Sequence, residues 1–121
     1  LHFIGAVPLS RLEKVQQSLR VDAPLIALTL DTFEVWRNGC AVCRPSRTPD
    51  ALVALHAALA HALCALDLPT DERPFRPHVT LARHAIGAAP PAEAPALQWS
   101  ARGYALVASA DGRYTPLTRY A

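Results

Sequence analysis

Apolar residues recur along this chain with two different periods, and the switching between them outlines a mixture of strands and helices. Leu12, Val15 and Leu19 fall on one helical stripe, with Ser10 and Glu13 at capping-box spacing ahead of it, so a first helix is expected there. Leu52, Leu55, Leu59, Leu63 and Leu66 repeat at helical spacing through a longer second helix. Thr48 before Pro49 is its expected N-cap, and His56 and His61 fall on its outer surface. Between the helices, Leu25 to Leu30 and Phe33 to Trp36 read as strands. Asn38-Gly39 is a strong hairpin turn leading into a third strand over Cys40 to Cys43, which makes this material antiparallel. Leu1 to Ile4 is apolar and of strand length, and Gly5 to Pro8 reads as a turn. After a loop from Asp67 to Pro77 comes a strand beginning at His78. A Pro/Ala-rich linker from Ala85 to Pro95 follows, and strands over Trp99 to Val107 and Tyr114 to Tyr120 complete the chain.

Composition bounds what such a chain can be. With 121 residues, 51% of them hydrophobic, it can bury one core, so residues 1–121 are read as a single domain. No apolar run is long enough to cross a bilayer and no signal peptide is recognisable, which points to a soluble cytoplasmic protein without a membrane partner. The formal charge of +2 is too small for a protein that coats long nucleic acid. Its distribution is more informative: residues 73–121 carry six arginines against Glu93 and Asp111, an excess of +4 that suits a short anionic ligand. An ordinary charged surface accounts for that segregation equally well. Nothing in the composition fixes the oligomeric state.

Cysteine chemistry changes the picture little. Cys40, Cys43 and Cys64 are odd in number and lie in apolar surroundings, which fits reduced, buried thiols better than a disulfide framework. Cys40-Ala41-Val42-Cys43 has CxxC spacing, but a zinc site needs two further ligands and no second pair of that kind exists.

The candidate chemistry sits in Arg73-Pro74-Phe75-Arg76-Pro77-His78-Val79-Thr80-Leu81-Ala82-Arg83. On a strand, side chains alternate between faces, so His78 and Thr80 share one face and place an imidazole beside a hydroxyl. Phosphodiester chemistry needs one proton removed and another supplied, and histidine is the side chain that titrates near neutral pH. A lone histidine at a strand end can equally be structural. Pro77, however, removes a backbone donor and biases Arg76 toward an extended conformation, a stiff entry that suits a catalytic group. Arg83 lies five positions after His78, so simple alternation puts it on the opposite face unless a bulge re-aims it.

This stretch resembles the second signature of the 2H phosphoesterases, the family of bacterial 2'-5' RNA ligases. Tyr114-Thr115-Pro116-Leu117 is similar to that family's C-terminal ending, and Leu1-His2-Phe3-Ile4-Gly5 to the continuation of its first signature. In the family a His-x-Thr triplet directly precedes such a segment, so the resemblance implies that the triplet, and with it the N-terminal part of the family fold, lies ahead of Leu1. Ile4-Gly5-Ala6-Val7-Pro8 is similar to Ile86-Gly87-Ala88-Ala89-Pro90, a hint of internal duplication. The fold implied is α+β, with two pseudo-symmetric lobes whose antiparallel sheets surround a central cleft.

The resemblance also implies a function: an RNA 2',3'-cyclic 3'-phosphodiesterase that opens a cyclic phosphate at an RNA 3' end to leave a 2'-phosphate, with reversible 2'-5' RNA ligation when a 5' hydroxyl takes the place of water. His78 would act as general base and the upstream histidine as general acid, without a metal or cofactor. Thr80 would bind the phosphate and Arg83 the anionic substrate. Phe75 would stack on a terminal base, or anchor its loop, the reading that better fits its setting. His2 is expected at the end of the first strand, beside the site. Two other readings remain open: a non-catalytic module that binds RNA ends, and a phosphodiesterase for a small cyclic phosphate such as ADP-ribose 1'',2''-cyclic phosphate.

Overall fold

Hydrogen-bonding capacity decides which of the apolar runs become strands. In a computed structural model that describes residues 1–121, the elements are α1 (Leu9–Ser18), β1 (Ile26–Leu30), β2 (Thr32–Val35), β3 (Ala41–Arg44), α2 (Asp50–Ala65), β4 (Val79–Ala82), β5 (Leu97–Ala101), β6 (Tyr104–Ala110) and β7 (Arg113–Tyr120). The architecture is the expected α+β arrangement of two helices with antiparallel strand pairs. Leu1 to Ile4, expected as a strand, is irregular. An isolated strand leaves its N–H and C=O groups unpaired, and no neighbouring strand takes these up.

The chain divides into two units. The first comprises Leu1–Ile26, Asp50–Pro74 and Ala101–Ala121, and so holds α1, α2 and the β6–β7 hairpin. Its core is the helical stripe foreseen from the leucine spacing: Val15, Leu19, Leu52, Leu55, Leu59, Leu63 and Leu66 are all buried. Burying each such side chain is worth about 1.5–3 kcal/mol, which outweighs helix propensity as the reason these helices persist. Two tyrosines pin α1 to the hairpin. The Tyr104 hydroxyl donates to the Leu19 carbonyl at 2.6 Å and accepts from the Val21 N–H at 2.8 Å, while the Tyr120 hydroxyl donates to the Gln16 carbonyl at 2.8 Å. The two rings stack at 4.7 Å.

Two boundaries differ from expectation. No capping box forms at α1: Pro8 is the N-cap, without a side-chain hydrogen bond, and Ser10 lies inside the helix. The expected strand over Trp99 to Val107 is two strands, β5 and β6, parted at Arg102-Gly103. Gly103 has φ +79°, and a Cβ there would fall on the Tyr120 carbonyl oxygen, so glycine is what lets the chain turn against β7. Asp111 and Gly112 both have positive φ and close the β6–β7 hairpin as a primed turn does. Pro116 is tolerated within β7 because the register shifts beside it, between Leu106↔Thr118 and Val107↔Pro116.

The second unit comprises Ala27–Pro49 and Phe75–Ser100. Its main sheet has the order β2-β3-β4, antiparallel throughout, and β1 pairs with β5. The Asn38-Gly39 turn joins β2 to β3 as expected, with Gly39 at φ +81°. The three cysteines are free, but only Cys43 is buried, while Cys40 is half-buried and Cys64 exposed on α2. Burial pushes the Cys43 thiol pKa up, which lowers its thiolate content and with it its reactivity. No helix is long and apolar enough to cross a membrane.

Candidate active site

The sheet of the second unit has two chemically different faces, and strand register assigns every residue to one of them. The pairs Thr32↔Arg44 and Glu34↔Val42 in β2–β3, and Val42↔Thr80 in β3–β4, put Thr32, Glu34, Val42, Arg44 and Thr80 on one face. The pairs Phe33↔Cys43, Val35↔Ala41 and Cys43↔Val79 fill the other with apolar side chains. His78 immediately precedes β4, two residues before Thr80, and so continues the polar face. This face is where the expected catalytic pair lies, and both of its members are exposed.

The geometry of His78 follows from the proline beside it. Held extended ahead of Pro77, Arg76 turns its carbonyl to the imidazole, and His78 Nδ1–H donates to it at 2.7 Å. A carbonyl can only accept, so this bond fixes the neutral ring in the Nδ1–H tautomer and leaves the Nε2 lone pair outward. An imidazole in that state is a proton acceptor at a defined point.

A group of residues from outside the motif, with Arg76 from within it, surrounds this histidine. The Trp36 ring lies 4.4 Å from the His78 ring, tilted by 59°. The Arg76 guanidinium sits 5.0 Å above the centroid of the same indole, within cation–π range. Trp36 Nε1–H donates to Glu34 Oε1 at 2.7 Å, and Arg44 grips the same carboxylate in a fork, Nε to Oε1 at 2.6 Å and Nη2 to Oε2 at 3.2 Å. The Arg44 fork, then the Trp36 hydrogen bond, pull the Glu34 pKa down to about 2, with Arg76 adding a weaker charge effect from 3.8 Å. Glu34 is therefore an anionic post at neutral pH. It serves as an anchor and has no proton to give.

Arg83 lies just past the end of β4, exposed. Between Val42↔Thr80 and Ala41↔Ala82 the register slips, leaving Leu81 as an extra residue. Ala82 thus pairs onto the apolar face, and the count brings position 83 back to the face of His78 and Thr80. The strand is stopped there by His84, at φ +57°, and by Ala85 N–H donating to the Gly39 carbonyl at 2.8 Å. Phe75 is half-buried on the approach to Pro77.

His2 does not end a strand. It belongs to the first unit, where its Nε2–H donates to the His56 carbonyl at 2.9 Å and the two imidazoles stack at 4.0 Å. His56 is consequently half-buried on α2, not on its open surface, and burial lowers its pKa, with the charge of His2 adding to the effect. His61 is exposed as expected.

No group of three or more His, Cys, Asp or Glu side chains gathers to hold a metal ion. A shallow open depression lined by Asp31, Thr32, Phe33 and residues 91–95 includes neither His78, Thr80 nor Arg83. Glu34 in β2 and Trp36 just past its end, and Arg76 and His78 on another segment, are each spaced by two residues. That spacing put each pair on one face, but only register shows that the faces coincide.

Comparison with known proteins gives this geometry a context. The family model of the 2'-5' RNA ligase superfamily matches residues 3–112. The chain is similar to a phosphoesterase of known crystal structure, with a TM-score of 0.79 at 27% identity, covering 98% of this chain and 72% of that one. It is also similar to E. coli LigT complexed with 3'-AMP, at TM-score 0.79, 26% identity and the same coverages. LigT complexed with NADP+ gives 0.77 at 27% identity, covering 98% and 71%. No curated protein matches the chain.

Proposed function

The chain belongs to the 2'-5' RNA ligase superfamily, and from that premise we propose that it is a phosphoesterase of 2',3'-cyclic phosphates at RNA 3' ends. The observation that carries this reading is the His78 imidazole, held by the Arg76 carbonyl with its Nε2 lone pair outward on the polar face that bears Thr80. The 3'-AMP bound by LigT, a structure similar to this one, fits the same class of ligand.

In the proposed reaction His78 Nε2 takes a proton from water as the water oxygen attacks phosphorus. The bond from phosphorus to the 3' oxygen breaks, and that oxygen receives a proton from a second histidine. The family places such a histidine in a His-x-Thr triplet ahead of a segment like Leu1-His2-Phe3-Ile4-Gly5. The product is a 2'-phosphate with a free 3' hydroxyl. With a 5' hydroxyl as product in one direction and nucleophile in the other, the same groups run the opposite sequence and exchange a 2'-5' linkage. Thr80 donates its hydroxyl to a non-bridging phosphate oxygen. Arg83, on the same face by the register count, neutralises the substrate's charge.

The test is hydrolysis of an oligonucleotide ending in a 2',3'-cyclic phosphate by the intact protein and by His78→Ala. General acid-base groups contribute about 10²–10⁴-fold, so the variant is expected to lose turnover by that factor while keeping its fold. Binding without hydrolysis, unchanged by His78→Ala, would make the protein a binding module. Preferential turnover of ADP-ribose 1'',2''-cyclic phosphate would move the substrate to small cyclic phosphates.

A further inference from the structure

We infer that Trp36 is a positioning residue for His78, an assignment that rests on the function proposed above and adds to it a part of the chain far from the motif. His78 is exposed, and a single hydrogen bond from Nδ1 leaves its ring free to swing about χ1 and χ2. What limits the swing is the indole face 4.4 Å away. An indole at the end of a strand would itself be mobile, but Trp36 is fixed at both ends. Its Nε1–H is bonded to Glu34, whose carboxylate is locked in the Arg44 fork, and the Arg76 guanidinium lies over its ring.

The order of support therefore runs from β3 to β2 to the motif: Arg44 holds Glu34, Glu34 holds Trp36, and Trp36 walls in His78. Arg76 closes the arrangement, since its carbonyl receives the His78 N–H while its side chain covers the indole. None of these groups needs to touch substrate. Their effect is to keep Nε2 aimed at one place, and a misplacement of about 1 Å can cost on the order of 10²-fold in rate.

The experiment follows the imidazole itself by ¹⁵N NMR at neutral-to-alkaline pH, alongside turnover of a cyclic-phosphate oligonucleotide by the intact protein. In the natural protein His78 is expected as one Nδ1–H tautomer. Trp36→Ala is expected to convert it to the mixture dominated by Nε2–H that an unconstrained histidine side chain shows, and to lower kcat about 100-fold with KM changed less than about twofold. Trp36→Phe keeps an aromatic wall without the Glu34 bond and is expected to restore much of the tautomer and to lose only several-fold in kcat. It also reads the same quantities if the alanine variant fails to fold. An unchanged His78 spectrum and full kcat in the folded variants would overturn the assignment, as would a loss confined to KM. The two readings fail separately: full turnover by His78→Ala refutes the proposed catalytic base, whereas an unchanged His78 tautomer in the Trp36 variants refutes only the positioning role.

Discussion

At the scale of single residues, side chains proposed to touch substrate differ in expected behaviour from those that hold other side chains in place. Arg83→Ala should weaken binding of a cyclic-phosphate oligonucleotide with little change in kcat. The defect should shrink as salt rises, because exposed charges are screened within about 10 Å at 0.1 M ionic strength; a salt-independent loss of kcat would contradict that role. Glu34 gives a pH prediction whose sign follows from its lowered pKa of about 2. A carboxylate depressed on folding contributes stability above its ordinary value of 4.5, and loses that contribution as pH falls toward 2. Glu34→Gln is therefore expected to melt lower than the natural protein at pH 7, and the gap should close progressively between pH 4.5 and 2. An equal gap at pH 7 and pH 2 would show that packing, not charge, explains it.

Legibility in the sequence also differs by residue. His78 and Thr80 stand out as candidates because they form a motif with period-two spacing, and Arg83 only because it lies in the same contiguous stretch. The bulge on which the face of Arg83 depends lies at Leu81 and follows from the pairing of β4 with β3. Glu34, Trp36 and Arg44 were not readable as site residues. Their connection to His78 runs through pairing with β3, and register depends on which strands meet.

At the scale of elements, backbone space decides more than propensity does. Gly103 and Gly112 both have positive φ, but a Cβ at 112 meets open space and one at 103 meets the Tyr120 carbonyl. Alanine at 112 should cost about 1 kcal/mol, the strain of a left-handed non-glycine residue. Alanine at 103 should cost clearly more, since β6 must also move away from β7. Thermal melts of the two variants check this, and equal losses would mean that the close approach is unimportant. The leucine stripe of α2 was plain from spacing alone, because a buried helix face repeats in sequence whatever covers it. The start of α1 was not, since Ser10 and Glu13 have the right spacing for a capping box while the chain enters the helix at Pro8. The break at Arg102-Gly103 was hidden for a similar reason: one glycine in an apolar run marks either a weak strand position or a turn, and only the position of Tyr120 chooses between them.

At the scale of the molecule, stability and chemistry are assigned to different sets of residues. Leu63 is among the most buried side chains of the first unit, so Leu63→Ala should destabilise the protein by about 2–5 kcal/mol, measured by denaturant unfolding. His78→Ala, an exposed position, should leave that unfolding curve unchanged. The arginine excess of residues 73–121 includes Arg76 beside the indole and Arg83 beyond the bulge. The central claim is that His78 takes the proton in opening a cyclic phosphate. The most direct measurement follows an oligonucleotide with a 2',3'-cyclic phosphate end, by ³¹P NMR, in the presence of the intact protein or its His78→Ala variant. Conversion to a 2'-monophosphate by the natural protein and a loss of about 10²–10⁴-fold in the variant are expected. Equal conversion by both, or a 3'-monophosphate product, would contradict it.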